Sequence, residues 1–449
     1  MKKPNIIFIL MDAISFKYSW LHNNEYMPQL FKKKIFFKNY LNHYSTARNT
    51  KGNFPSILSG IYPHLHKVNN KAHKFADNKY GHFTQVLKNY GYKSYYFGTQ
   101  AFSGTEQKKI ILDFDHATYL SPSMADYYVP GLKFNQRIKS KINEIDNNPY
   151  FLFLHYTDAH APFETPNINY LKLFSKKFPK IRNFLIKNSL NLNILRRFRN
   201  KYLNKGYHQL DKKYFKEYPN LKNDILYARG PLLSPERYPN FYDYMWEDKD
   251  LFNEYKQLLK MAYLYQDLSV NSLLDYIAKF KKHNTMIILT SDHINNDVVE
   301  HTLSNKGSLL DDESLHIPLS ILSFDEDINR NYLNSKETKT YTSHIDFYNT
   351  FSRIFDQNYT DNDYEINLLN ITEKNRYLMA QSNNDRQHHN QTRLFNDKES
   401  IDIYTQPSNE MPDIIDNKNI INDLSKEKYD KYSNYVKNFN IFYKKRLEN

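Results

Sequence analysis

The chain has 449 residues, 40% apolar and 16% aromatic, which is enough to bury a large core and too apolar for a disordered chain. Its formal net charge of +13 favours anionic partners: a phosphorylated or sulfated substrate, a polyanionic glycan, an acidic membrane surface or nucleic acid. The absence of cysteine excludes disulfides, thiolate metal sites and thiol nucleophiles, so any metal must be held by Asp, Glu, His or a hydroxyl oxygen.

The first element is an apolar run, Ile6 to Met11, that ends at Asp12. It is too short and too abruptly broken for a signal peptide and reads as a buried first strand. No apolar segment approaches the roughly eighteen residues of a spanning helix, so a cytoplasmic chain with peripheral membrane contact is expected. A hydroxyl-rich run over 45–60 follows, in which Gly52 and Pro55 mark a turn and then a short helical piece ending at Gly60. Residues 93–98 and 149–154 read as further strands, the second delivering His155, Asp158 and His160. From 167 to about 250 the character changes to a basic helical insertion. Between 172 and 205 there is no Asp or Glu, while Lys176, Lys177, Lys180, Arg182, Lys187, Arg196, Arg197 and Arg199 alternate with Phe and Leu. Such a stretch suits an anionic membrane or glycan, or is simply a solvated basic face. A long helical pattern over 254–280 places Tyr263, Leu264, Leu268, Leu273, Leu274 and Ile277 at core positions. It leads into the apolar strand 285–290, which Ser291, Asp292 and His293 follow directly. Residues 315–321 form another strand. A catalytic unit over 1–370 is followed by a polar extension over 371–449, with a strand near 376–380, an amide- and histidine-rich loop over 383–391 and a terminal helix over 425–446.

Strands alternating with helices predict an α/β sandwich, a mixed and mostly parallel sheet covered on both faces. Ligands in such folds bind outside the carboxyl ends of the strands, where Asp12, Asp292 and His293 are displayed. These are hard or borderline ligands suited to one divalent cation, Zn, Mn, Ca or Mg. The plain alternative makes both acids helix caps at strand ends. Thr50 sits before a helix whose positive end can hold an anion, and metal binding would ease loss of its hydroxyl proton. Ser45, Thr46 and Ser56 are competing hydroxyls in the same run. His64 and His66 read as structural hydrogen-bonders. No nucleic-acid reader motif is present, so nucleic acid is not an expected partner.

Several of these stretches resemble the sulfatase family of the alkaline phosphatase superfamily. The strand ending at Asp12 is similar to that family's opening strand and metal Asp. The run from Pro55 to His66 resembles its Thr-Gly, Tyr-Pro, His-x-His-Gly pattern, and the family nucleophile, ten positions before Gly60, falls on Thr50. Residues 155–162 look like its Asp-Pro-His-x-Pro loop, which puts His160 at a substrate-binding position. Ser291, Asp292 and His293, followed by Glu300, His301, Lys306 and Gly307, look like its Ser-Asp-His-Gly block with a following Glu-His and a substrate-contacting Lys. Residues 315–321 and His344-Ile-Asp346 resemble later family strands. The resemblance spans roughly residues 4–350. It implies an alkaline-phosphatase-like three-layer α/β/α sandwich, Asp12, Thr50, Asp292 and His293 as metal ligands, and Thr50 and His301 as catalytic groups. His160 and Lys306 would then bind an oxyanion ester, either a small molecule or a glycan.

The departures bear on chemistry. Sulfatases carry Cys or Ser oxidised to formylglycine in a Cys-x-Pro-Ser-Arg frame, whereas this chain has Thr50-Lys-Gly-Asn-Phe54, so neither the aldehyde nor the Arg is available. The second Asp of the usual pair is Ala13, and the Gly after Asp-His is Ile294. The family's Gly-Lys-Trp-His stretch corresponds to residues 98–101, which lack both Lys and His. The remaining set resembles the four-ligand site of phosphoethanolamine and phosphoglycerol transferases. A plain Thr favours a phosphate mono- or diester, the family as a whole favours a sulfate ester, and the sequence leaves both open, with a cell-surface glycan or its precursor as a candidate substrate. The rival expectation is a catalytically inactive scaffold that binds an anionic glycan or lipid.

Overall fold

The computed structural model describes residues 3–34, 37–68, 82–98, 113–119, 129–145, 149–160, 179–180, 248–280, 283–294, 310–333, 337–355, 364–371, 376–383, 390–405 and 425–448. Its strands are β1 (Asn5–Met11), β2 (Lys38–Tyr44), β3 (Lys93–Gly98), β4 (His116–Tyr119), β5 (Tyr150–Tyr156), β6 (Thr285–Thr290), β7 (His316–Leu322), β8 (Glu337–Thr338), β9 (Thr342–Ser343), β10 (Leu378–Asn383), β11 (Asn390–Phe395) and β12 (Ser400–Thr405). The helices are α1 (Pro28–Lys33), α2 (Thr50–Ser59), α3 (Pro63–His66), α4 (Phe83–Asn89), α5 (Gly131–Glu144), α6 (Lys249–Phe280), α7 (Asp312–Leu315), α8 (Glu326–Tyr332), α9 (Asp346–Phe355) and α10 (Lys426–Glu448).

Among the described residues, nine strands form one sheet in the order β4-β3-β5-β1-β6-β7-β2-β8, with β9 also on β2. The pairs around β1, β3 and β5 are parallel, and only β7 runs antiparallel to its neighbours β6 and β2. The sheet is therefore mixed and mostly parallel, as expected. The central strands are buried on both faces, which explains their continuous apolar runs.

The period of two along each strand sorts side chains between two layers. Ile7, Ile9 and Met11 pack with Leu152 and Leu154 against α5 and α6. Ile6, Phe8 and Leu10 pack with Phe151, Phe153, Met286 and Ile288 against α2, α4 and α9. Phe8 stacks on Phe153 with ring centroids 4.9 Å apart and meets the edge of Phe347 at 5.0 Å. A separate antiparallel sheet, β10-β11-β12, packs with α10 through Leu394, Ile401, Ile403, Tyr432, Val436 and Phe439.

The structure modifies several expectations. The long helix begins at Lys249, and Leu264 and Leu268 are each 37% exposed rather than in the core. They lie one turn apart on the side of α6 opposite the stripe of Tyr263, Val270, Leu273, Leu274 and Ile277, which is buried. Asp346 opens a helix instead of continuing a strand, and β11 begins at Asn390 inside the stretch read as a loop. Almost all of the basic insertion at 167–250 lies outside the described residues. Among the described residues, no helix is long and apolar enough to cross a membrane.

Candidate active site

The two parallel pairs flanking β1 set the site. Leu10 is level with His155 on β5 and with Thr290 on β6. Asp12 and Asp292 each follow two residues later, so both project on the Leu10 side, toward α2. His155 shares that face. Backbone bonds hold the turn after β1: Asp12 N–H donates to Tyr156 O at 2.8 Å and Ile14 N–H to Ser291 Oγ at 2.8 Å. Ala13 between them takes a left-handed conformation, φ 64°, and its N–H donates to Asp292 Oδ1 at 3.2 Å. A β-carbon in that region is strained, a feature that concentrates at functional sites.

Thr50 is the first residue of α2. Asn49 caps the helix, its side-chain oxygen accepting from Gly52 N–H at 2.9 Å. Asn53, buried one turn further on, ties the incoming chain down. Its Oδ1 accepts from Thr46 N–H and Ala47 N–H, both at 2.9 Å, and its Nδ2 donates to Ala47 O and Asn49 O. Gly52 is required by this close approach, since a β-carbon there would lie 2.5 Å from Ala47 Cβ. The result fixes Thr50 Oγ1 3.2 Å from His293 Nε2, with the positive helix end behind it.

One ligand atom from each of Asp12, Asp292 and His293 lies within 4.8 Å of the others, and all three residues are buried. Asp12 Oδ1 and Asp292 Oδ2 are shielded from solvent and without a hydrogen-bond partner. His293 Nδ1 faces Ile294 O at 2.7 Å, so Nδ1 carries a proton and Nε2 is the nitrogen turned toward the two carboxylates. Nε2 is 3.4 Å from Asp12 Oδ1 and 3.5 Å from Asp292 Oδ2. Acceptor atoms crowded in this way coexist only if a proton or a cation sits among them. Burial pushes the Asp292 carboxyl up and the Asp12 charge adds to this. Asp12 is held well below the usual range, because His160, His155 and His293 together outweigh its burial. Burial would lower His293, but the two carboxylates raise it to about 9. With two carboxylate oxygens, one imidazole nitrogen and one hydroxyl, the donor set fits a divalent cation.

His160 stands at the rim, its ring perpendicular to that of His293 with centroids 6.4 Å apart. His301 and Lys306 lie outside the described residues. The competing hydroxyls are committed elsewhere: Ser45 Oγ is directed at Leu315 O, Thr46 Oγ1 at Asn53 Oδ1 and Ser56 Oγ at Gly52 O. His64 engages Gln381 and Asn440, and His66 bonds Gly52 O and Val68 N–H, both as structural groups. Asp158 accepts from Gly131 N–H at the start of α5 and is not directed at the cluster. The sequence reading placed His155 at a strand end without a role. Its Nε2 is 3.1 Å from Asp12 Oδ2.

The fold has solved counterparts. A protein of the alkaline phosphatase superfamily from Vibrio parahaemolyticus is 11% identical at a TM-score of 0.58, over 100% of this chain and 88% of that one. BT4656 in complex with its substrate D-glucosamine-2-N,6-O-disulfate is 16% identical, TM-score 0.58, over 90% and 91%. The lipoteichoic acid synthase LtaP from Listeria monocytogenes is 12% identical, TM-score 0.56, over 99% and 92%. No curated protein sequence matches the chain. The model of the family described as Sulfatase matches residues 4–357, a span that runs from β1 to just beyond α9 and takes in every residue of the cluster, and the chain belongs to the sulfatase family.

Proposed function

We propose that this protein is a metal-dependent hydrolase or transferase of a phosphate ester, with Asp12, Thr50, Asp292 and His293 as cation ligands and Thr50 as nucleophile. The observation that carries the reading is the convergence of two buried carboxylate oxygens without hydrogen-bond partners, His293 Nε2 and the Thr50 hydroxyl. A divalent cation held there would make the Thr50 hydroxyl easier to deprotonate and offset charge on the transferring group. Thr50 Oγ1 attacks phosphorus, the Oγ1–P bond forms and the P–O bond to the alcohol breaks. The Thr50 proton ends on the departing alcohol, with His301 as the candidate acid–base group and His160 as a group that binds the ester. Water or a second alcohol then attacks phosphorus, frees Thr50 and returns the proton. The α2 N-terminus behind Thr50 suits the anionic group.

Phosphate is preferred to sulfate because Thr50 cannot become the formylglycine on which sulfatases depend. The counterparts include both a polymer synthase and a protein bound to a sulfated sugar, so the assay must contain both ester classes. Purified protein is assayed with aryl phosphate, bis-aryl phosphate and aryl sulfate under each divalent metal, alongside Thr50→Ala. Turnover of a phosphate ester that is lost in Thr50→Ala is expected. An intact-mass adduct of about 80 Da on Thr50 with the monoester supports the covalent step. Turnover of sulfate alone moves the assignment to a sulfuric ester hydrolase. If wild type and Thr50→Ala are equally inert with every metal, the inactive glycan- or lipid-binding scaffold takes its place.

A further inference from the structure

We infer that His155 is a positioning residue for the cation site, donating Nε2–H to Asp12 Oδ2 so that Asp12 presents only Oδ1 to the metal. The inference rests on the cation site of the proposed function and adds to it a group that is not a ligand. His155 Nε2 lies 3.1 Å from Asp12 Oδ2, and both side chains are almost wholly buried, at 0% and 1%. The other oxygen, Oδ1, is the one left without a partner and turned toward His293. A free carboxylate can rotate and offer either oxygen or both, whereas one oxygen bonded to an imidazole N–H fixes a one-oxygen ligand.

The far side of the ring supplies the tautomer. His155 Nδ1 is 3.4 Å from the Tyr96 hydroxyl, which can donate to it and so leave the proton on Nε2. Tyr96 reaches this position over Gly98, the residue level with His155 on β3. A β-carbon at Gly98 would lie 2.6 Å from the Tyr96 hydroxyl, so the missing side chain is what lets the phenol through. Tyr96, His155 and Asp12 therefore form a buried polar line across three adjacent strands, at the end of a sheet otherwise filled with Phe, Ile and Leu. The ring also stacks on Phe54 of α2, centroids 6.4 Å apart, one turn beyond Thr50. A merely packing role, such as that contact, could be served by a leucine.

The test is Mn2+ titration by calorimetry of wild type, His155→Leu, His155→Gln and Tyr96→Phe, each with its metal-free melting temperature. Wild type is expected to bind one Mn2+. His155→Leu, which keeps the volume and loses the donor, is expected to bind about 10- to 100-fold more weakly. His155→Gln restores an N–H donor and should recover most of the affinity. Tyr96→Phe should weaken binding by a smaller factor while melting near wild type, which keeps the inference testable if the leucine variant does not fold. Wild-type affinity in a folded His155→Leu, or in Tyr96→Phe should the leucine variant fail to fold, overturns it. A wild type that binds Mn2+ yet turns over no ester removes the proposed reaction and leaves this inference to the affinity ratios. A wild type that binds no divalent metal overturns both.

Discussion

Asp292→Asn should move stability in opposite directions with and without metal. In the metal-free chain two buried carboxylates present oxygens within 4.8 Å, a repulsion of about 3.5 kcal/mol at an effective dielectric near 20. The His293 imidazolium 3.5 Å from Asp292 Oδ2 attracts it by about 4.7 kcal/mol on the same scale, slightly more than this repulsion, so the net cost of the second charge is its desolvation, several kcal/mol. Asparagine keeps an oxygen for the N–H groups of Ala13 and His293, and turns the unpartnered Oδ2 into a donor facing Asp12. Metal-free stability should therefore rise by about 1–2 kcal/mol. With a cation the sign reverses, because wild type gains about 2.7 kcal/mol at one hundred times its Kd and the variant has lost a charged ligand. At ~2.1 cal/mol/K per residue, 449 residues convert 1 kcal/mol into about 1 °C. Melting curves in excess EDTA and in Mn2+ at one hundred times Kd should cross, the variant about 1–2 °C higher in EDTA and wild type about 1–2 °C higher with metal, because its gain of about 2.7 kcal/mol must first make up the variant's metal-free lead. A variant that melts below wild type in EDTA would refute the argument that the carboxylate pair is held ready for a cation.

The remaining predictions probe the frame around the site. Gly60 ends α2 at φ 65°, and a β-carbon there would lie 2.4 Å from Tyr348 Cβ, so Gly60→Ala should cost at least about 2 kcal/mol by chemical denaturation; a neutral result would mean the turn rearranges freely. Arg376 pairs with buried Asp346 and also donates to Tyr364 O and Tyr341 O. Arg376→Met should lose about 3–5 kcal/mol, and adding Asp346→Asn should recover part of it; equal losses in the single and double variants would rule out an unpaired buried charge as the cause. Burial lowers His66 to about 3, its Nε2 facing Gly52 O and its Nδ1 accepting from Val68 N–H. Because the folded value lies below the unfolded one, the unfolded chain takes up the proton first. The contribution is present above pH ~6.5 and is lost as pH falls toward the folded value. In His66→Gln the acid-side slope of unfolding free energy against pH should flatten by about 1.4 kcal/mol per pH unit, and an unchanged slope counts against a neutral buried imidazole.

The parts of the fold legible in the sequence were those whose burial is two-sided. β1, β5 and β6 lie in the middle of the sheet and read as unbroken apolar runs. β2 did not, because Asn39, Leu41 and Asn42 are only half buried and the strand shifts register between Tyr40 and His43. β12 was equally hidden: of its residues Ile401, Ile403 and Thr405 point inward and the alternate ones do not, a pattern that six polar-rich residues display weakly. The exposed Leu264 and Leu268 show the converse: apolar character alone predicts burial, whereas the helical period places both on the side of α6 away from the core.

At the site, the legible residues are those that end strands and the illegible ones are those whose role depends on register. Asp12 stands directly after an apolar run and Asp292 three residues after one, where local sequence alone suggests a ligand. That they face one another follows only from Leu10 standing level with Thr290, because a shift of one residue would send one acid to the α6 side. His155 is the sharper case. In sequence it is one of three polar groups delivered by β5, with nothing to rank it above Asp158 or His160. The level pairing of Leu10 with His155 puts it on the Asp12 side, two residues short of the acid, and a one-residue slip would turn it toward the layer of α5 and α6. The same slip would bring Tyr156 to the Asp12 side in its place, exchanging an imidazole donor for a phenol. Register is set by the whole hydrophobic pattern of β5 against β1, so the chemistry at Asp12 depends on which of Phe151 to Leu154 face which layer. Core replacements that shift this register would therefore break the His155–Asp12 contact without touching the site.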